Sequence, residues 1–233
     1  MATPRAGGRR DSEVAAWSPG SKIGDVMHAI ATAAAAPDPT RPAGFAYVPD
    51  LITPAEEAAL LAWFVTSPGW NDVTFRGQTA RRRAMSFGAR YLAQGKRLIP
   101  APPLPPELVI HRDRMVEAAC AALGRDLVLA GQTRGDFALC TALHYPPGAA
   151  IGWHADNRSF GPTVLSLSLG TAARLQLQPA GDDQRAQASR VEVALAPRSL
   201  FVLAGEARRS WHHRILPVRA ARYSFTVRAP ATI

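Results

Sequence analysis

Thr163–Gly170, TVLSLSLG, alternates without a slip: Thr163, Leu165, Leu167 and Leu169 fall on one face, Val164, Ser166 and Ser168 on the other. Successive side chains of a strand point to opposite sides, so this stretch is a strand with an apolar face and a face carrying hydroxyls. Before it lie FALCTALHY (137–145) and the Pro146-Pro147-Gly148 turn; after it ARLQLQP, RVEVALA, SLFVLAG and RYSFTVR follow as short runs separated by turn residues. Many short strands at regular spacing predict a sandwich or barrel, and a jelly roll is the natural form. RYSFTVR repeats the division by parity. Arg222, Ser224, Thr226 and Arg228 share one face, and Tyr223, Phe225 and Val227 share the other. Such a strand lines a polar cavity while packing outward on a second layer. At ~3.3 Å per residue the Arg222 and Arg228 Cα atoms lie roughly 20 Å apart, so the two arginines address different parts of a site.

Upstream the pattern is helical. FAYVPDLI (45–52) reads as a strand, after which Thr53 caps a helix that opens with Pro54, Glu56 and Glu57 and buries Leu60, Leu61, Phe64 and Val65. Residues 107–123 form a second helix with Leu108, Met115, Val116, Ala119 and Leu123 inward, stopped by Gly124. Residues 1–43, rich in Ala, Pro, Gly and Arg, read as a flexible extension. The expected domain is 44–233, with helical support over 44–135 and the jelly-roll core over 136–230.

The chain has 233 residues, 47% hydrophobic and 19% charged, enough for one sizeable core. Cys120 and Cys140 sit in apolar surroundings and read as buried reduced thiols, which fits a reducing, cytoplasmic compartment. No uninterrupted apolar run reaches the ~18 residues of a membrane span. A monomer is the expectation, since no long heptad demands a partner. The net charge of +9 favours polyanionic partners. Between Asp72 and Glu107 there is no acidic residue, while Arg76, Arg81, Arg82, Arg83, Arg90, Lys96 and Arg97 crowd one segment with Phe75, Phe87 and Tyr91 among them. Arginines suit phosphates and rings suit unstacked bases, although a solvated basic loop has the same composition.

In YPPGAAIGWHAD (145–156), His154 and Asp156 stand two residues apart just after a turn, so both can face one metal ion. A third ligand comes from a distant strand, where His212 and His213 compete in SWHHRI; adjacent strand residues face opposite ways, so the pair alone does not choose. Two histidines and a carboxylate suit iron(II) and leave positions open for other ligands.

Taken in order, YPPGAAIGWHAD, TVLSLSLG, SLFVLAGEARRSWHHRI (199–215) and RYSFTVR resemble the AlkB family of Fe(II)- and 2-oxoglutarate-dependent dioxygenases. GFAYVPDLITPAEEAALL (44–61) and RRRAMSFGARY (81–91) are similar to that family's N-terminal part. The resemblance implies an α+β, mainly β fold: a double-stranded β-helix, cupin-like, with N-terminal supporting helices. It implies His154, Asp156 and His213 as ligands of Fe(II), with 2-oxoglutarate and O2 as co-substrates. Arg222 would bind the distal carboxylate of 2-oxoglutarate, Arg228 would lie nearer its metal-bound end, and the Tyr145 hydroxyl would touch it. Leu143 and Ser224 stand where the family often has asparagines, so Ser224 takes over a co-substrate position with a shorter side chain. The implied activity is oxidative demethylation of alkylated nucleobases in DNA or RNA, presented single-stranded or flipped out, with modified tRNA or a protein side chain as the other targets. The 81–91 segment falls where the family carries its nucleotide-recognition lid, making Arg76, Arg81, Arg82, Arg83, Phe87, Tyr91 and Arg158 the expected nucleic-acid contacts. Arg158 departs from the acidic residue that the bacterial demethylase pattern places there, facing the base. A catalytically silent nucleic-acid-binding jelly roll and a cupin isomerase or hydrolase are the competing classes, and neither needs Arg222 beside a complete triad.

Overall fold

The computed structural model describes residues 40–75, 77–92, 97–181 and 184–231. The first half runs β1 (Phe45–Val48), α1 (Pro54–Thr66), β2 (Asn71–Phe75), β3 (Gln78–Phe87), β4 (Ala89–Leu92), β5 (Arg97–Pro100), α2 (Pro106–Leu123) and α3 (Arg125–Leu129). The second half runs β6 (Leu139–Tyr145), β7 (Ile151–His154), β8 (Phe160–Gly170), β9 (Ala173–Pro179), α4 (Gln184–Ala188), β10 (Val191–Leu195), β11 (Leu200–Leu203), α5 (Gly205–Arg209), β12 (Trp211–Ile215) and β13 (Arg222–Pro230).

Two antiparallel sheets make the jelly roll. The larger is ordered β1-β11-β8-β13-β6-β3-β2, the smaller β10-β9-β12-β7, and β4-β5 form a separate hairpin. The alternation of Thr163–Gly170 becomes the centre of the large sheet. Its leucines Leu165, Leu167 and Leu169 are fully buried with Phe225 and Val227 of β13 and Cys140 and Ala142 of β6 in the core under α1 and α2. Registers β13/β8 and β13/β6 align Ser224 with Ser168 and Leu143, and Arg222 with Gly170 and Tyr145. The serines and arginines therefore share the face turned toward the small sheet. That sheet supplies Leu175, Leu177, Val193, Leu195 and Ile215 to a second core between the two.

The helices follow their local signals. Thr53 and Glu56 form a reciprocal capping box at the start of α1, with Glu56 N–H donating to Thr53 Oγ1 and Thr53 N–H to the Glu56 carboxylate. Leu60 and Phe64 are buried as expected, but Val65 is 66% exposed, because it sits past the edge of the contacting stripe. In α2, Leu108, Met115, Val116 and Ala119 are buried, and Gly124 ends the helix with φ 87°.

The strand expected over 45–52 stops at Val48: Pro49 follows, and Asp50 takes a left-handed φ of 45°, while Leu51 and Ile52 are buried below it. The basic segment holds more order than its composition announces, since β3 pairs β6 and carries the hairpin strand β2 beside it. Residues 1–39 of the expected extension lie outside the described residues, as do Arg76 and Lys96. Both cysteines are buried and unbridged, and burial pushes the Cys140 thiol up to about 12. No helix among the described residues is long and apolar enough to cross a membrane.

Candidate metal centre

Antiparallel pairing of β12 with β7 sets His213 directly across from His154, and the two imidazole rings stand 4.2 Å apart between centroids. Asp156 follows on the loop that leaves β7. One ligand atom from each of His154, Asp156 and His213 lies within 4.8 Å of the others. Strand parity separates the competing histidines: His213 is 7% exposed and faces inward with Ile215, while His212 alternates to the other side of β12.

Protonation states suit a metal. The His154 Nδ1–H donates to the Gly152 carbonyl at 2.9 Å, which leaves Nε2 with a free lone pair. Burial, followed by the neighbouring His154, pushes His213 down to about 3, and burial likewise lowers His154, so both rings are neutral near pH 7. Burial alone would raise the Asp156 carboxyl, but Arg228, His213, His154 and Arg208 together outweigh it and hold it well below the usual carboxylate range. Arg228 Nη2 donates to Asp156 Oδ1 at 2.6 Å. Asp156 Oδ2 is buried without a hydrogen-bond partner, 3.6 Å from His213 Nε2. An orphaned buried carboxylate oxygen beside two neutral imidazoles is a donor set that fits a divalent transition metal.

Next to this cluster runs a cavity lined by Leu143, Tyr145, Ser166, Arg222, Ser224 and Thr226, the inward faces of β6, β8 and β13. Arg222 is 1% exposed, with its guanidinium carbon 5.0 Å from the Tyr145 ring centroid. Its Nη2 donates to Ser168 Oγ at 3.1 Å, while Nε and Nη1 have no partner. A buried cation with two idle donors on a pocket wall has the chemistry to hold a carboxylate. The Ser168 contact was not legible as a function in the sequence. Its signal was the pair of serines interrupting an otherwise leucine-rich strand.

The other expected contacts scatter. Arg81 Nη2 donates to the Pro147 carbonyl, Arg82 Nη1 to that of Ala150 and Arg83 Nη2 to that of Trp70, at 3.1, 3.2 and 2.9 Å, so each arginine of the run ties β3 to neighbouring backbone. Phe87 is corrected outright. It is 5% exposed in the core beside Trp63, because it shares the helix-facing parity of Met85, and it offers no face to a base. Tyr91 meets Phe160 edge-on at 6.2 Å, and the Arg228 guanidinium lies 4.8 Å over the Phe160 ring. Arg158 is exposed on the loop bearing Asp156. Arg208 is buried and donates to the carbonyls of Asp156, Asn157 and Phe160, which fixes that loop's backbone. Glu206, which could have paired with Arg208, instead accepts from Trp211 Nε1 at 3.3 Å.

The model of the 2OG-Fe(II) oxygenase superfamily matches residues 44–228. Curated relatives include the tRNA (carboxymethyluridine(34)-5-O)-methyltransferase ALKBH8 of Mus musculus, 29% identical over 181 residues and 76% of this chain, and its Xenopus tropicalis counterpart, 29% identical over 77% of this chain. The chain spans only about a quarter of the length of those relatives, 24% and 26%. Among solved structures, OsALKBH1 superposes with a TM-score of 0.61 at 16% identity, covering 81% of this chain and 98% of that one. A Pseudomonas putida prolyl-4-hydroxylase superposes with a TM-score of 0.56 at 15% identity, covering 89% and 98%. The His-Asp-His cluster and the family match over nearly the whole described chain lead to one assignment: this protein belongs to the 2OG-Fe(II) oxygenase superfamily and is a 2-oxoglutarate-dependent dioxygenase.

Proposed function

We propose that this dioxygenase oxidises alkylated nucleobases and removes the alkyl group as an aldehyde. The observation that carries the reading is the cavity shared by the His-Asp-His triad and the buried, half-satisfied Arg222. His154, Asp156 and His213 would hold Fe(II), since Arg228 keeps Asp156 Oδ1 and leaves Oδ2 without a partner. Arg222, steadied by Ser168, takes the distal carboxylate of 2-oxoglutarate, with Tyr145 against its guanidinium and Ser224 beside it on the same strand face. Iron bound there, with 2-oxoglutarate and O2, supplies C–H hydroxylation coupled to release of succinate and CO2, and a hydroxylated N-alkyl group then loses its aldehyde. Pro-Gly turn, β7 and the Arg208-pinned loop hold the ligands in place, and the apolar walls Leu143, Ile151, Val164 and Phe201 keep water from the co-substrate.

Nucleic acid as the target is supported by the arginines around the site and by relatives whose names specify tRNA. Those names favour a second reading, oxidation of a modified tRNA base rather than lesion removal. Short methylated DNA and RNA strands, offered with Fe(II), 2-oxoglutarate and oxygen, separate the two through succinate and formaldehyde yields. Stoichiometric formaldehyde from a methylated strand supports demethylation. Succinate that no nucleic acid stimulates turns the search toward a protein side chain.

A further inference from the structure

Arg228 decides which oxygen of Asp156 is left to a metal. Its Nη2 donates to Asp156 Oδ1 at 2.6 Å, and Oδ2 stays without a partner. The arginine itself is held by little else through hydrogen bonds. Its Nε is buried and unpartnered, and among the described residues Asp156 is the one side chain that accepts from the guanidinium. What lies against the group is a ring: the guanidinium carbon is 4.8 Å from the centroid of Phe160, within the distance at which an aromatic face attracts a cation. The side chains of Arg228 and Asp156 are 14% and 6% exposed, so the attraction acts where little water competes with it.

The backbone brings Phe160 to this place. Its N–H donates to the Asn157 carbonyl at 3.1 Å, closing the loop that leaves Asp156 into a turn. Beyond the turn, four residue steps of β8 from Phe160 to Val164 lie opposite two of β13 from Pro230 to Arg228. Such a bulge re-aims side chains, and the ring that opens β8 meets the arginine of the neighbouring strand. Gly161 permits the close approach, since a Cβ there would meet the Pro230 and Ala229 carbonyl oxygens at 3.0 and 3.1 Å. Tyr91, on the separate hairpin β4–β5, meets the Phe160 ring edge-on with centroids 6.2 Å apart.

We propose that Phe160 is a positioning residue of the metal centre: its ring orients the Arg228 guanidinium, Arg228 thereby keeps Asp156 Oδ2 presented, and Tyr91 braces the ring from the hairpin. The role rests on the metal centre described above and is independent of the substrate. A long arginine side chain has much rotamer freedom to lose, and without the ring it loses its second point of support. The effect belongs to the aromatic face rather than to apolar bulk, which separates it from simple packing.

Co(II) titration of the full chain, followed by visible absorption, reads metal affinity and ligand geometry without turnover. Phe160→Leu keeps an apolar side chain but has no aromatic face. It is expected to weaken Co(II) binding about tenfold, the lower end of what a partner behind a metal ligand contributes, and to change the absorption band. Phe160→Tyr restores the face and should bind within about threefold of wild type. In an Arg228→Gln background Phe160→Leu should cost nothing further, because the arginine through which it acts is gone. Tyr91→Ala, which leaves both sheets of the jelly roll intact, should weaken binding by a smaller factor, and melting of each metal-free variant shows that it is folded. Unchanged affinity in Phe160→Leu or Tyr91→Ala, a loss in Phe160→Tyr equal to that in Phe160→Leu, or an undiminished loss in the Arg228→Gln background overturns the proposal while the metal centre stands. Wild type that binds no Co(II) overturns the metal centre and the proposal with it.

Discussion

Arg222→Met isolates the role of the buried guanidinium. Arg222 is 1% exposed, one nitrogen bonded to Ser168 at 3.1 Å and two others without partners. Burial disfavours the charged guanidinium, and the contacts from Ser168 and Tyr145 offset that cost only in part when no ligand is bound. Methionine fills much of the same volume without a charge, and replacements of this kind are neutral or stabilising by about 1–4 kcal/mol. The ligand-free variant should therefore melt at or above the wild-type temperature. The co-substrate reverses the comparison. At a concentration about a hundredfold above its Kd, a ligand that binds only the folded state adds about 2.7 kcal/mol. For a domain of this size that is a rise in Tm of roughly 5–10 °C. Thermal melts in Mn(II), with and without 2-oxoglutarate, read both effects. Wild type should gain the full shift and the variant less than about 2 °C, well under that linkage. A variant that melts far below wild type without ligand, or that keeps the full shift, refutes this account of Arg222.

Other parts of the fold give their own tests. His111 is buried on α2, and burial lowers it from 6.5 to about 4, so the folded state holds it neutral. Its contribution is complete above pH 6.5 and is lost as pH falls toward about 4, worth roughly 3 kcal/mol across that window; denaturation of His111→Leu across this range should show a correspondingly flatter pH dependence. Arg208→Lys cannot serve the carbonyls of Asp156, Asn157 and Phe160 with one ammonium head, so metal titration should show affinity weakened about 10–100-fold. Unchanged metal affinity there would remove Arg208 from the positioning of Asp156. Gly44 has φ 86° and packs its α-carbon against the Ala204 carbonyl where β1 meets β11, so Gly44→Ala should cost at least about 2 kcal/mol in urea unfolding.

Parity made the centre of this fold legible. Thr163–Gly170 and Arg222–Arg228 each separate a polar face from an apolar one, and the structure turns those faces to the cavity and the helices respectively. The same rule reaches His154 but not Asp156, which lies on the loop beyond β7, and it stops at His212 and His213, which only the facing strand β7 distinguishes. Gln78–Phe87 was the least readable element. Its first half is solvent-facing and basic, its alternation shows only at Met85 and Phe87, and bonds from arginines to distant carbonyls hold it in the sheet. Those partners lie about 65–70 residues away in sequence, 66 and 68 for Arg81 and Arg82, where local propensity carries no information. Phe87 shows the cost of reading aromatics by proximity to arginines: one step of parity placed it in the core rather than against a base.

The most direct test of the central claim is the anaerobic Fe(II) stoichiometry of the full chain, measured beside His213→Ala and His212→Ala and followed by oxygen-dependent succinate formation from 2-oxoglutarate. The account predicts one iron per chain and succinate from both wild type and His212→Ala, with iron and succinate both lost in His213→Ala. Retention of iron and turnover by His213→Ala, or their loss in His212→Ala alone, would contradict the assignment of His154, Asp156 and His213 as the metal centre.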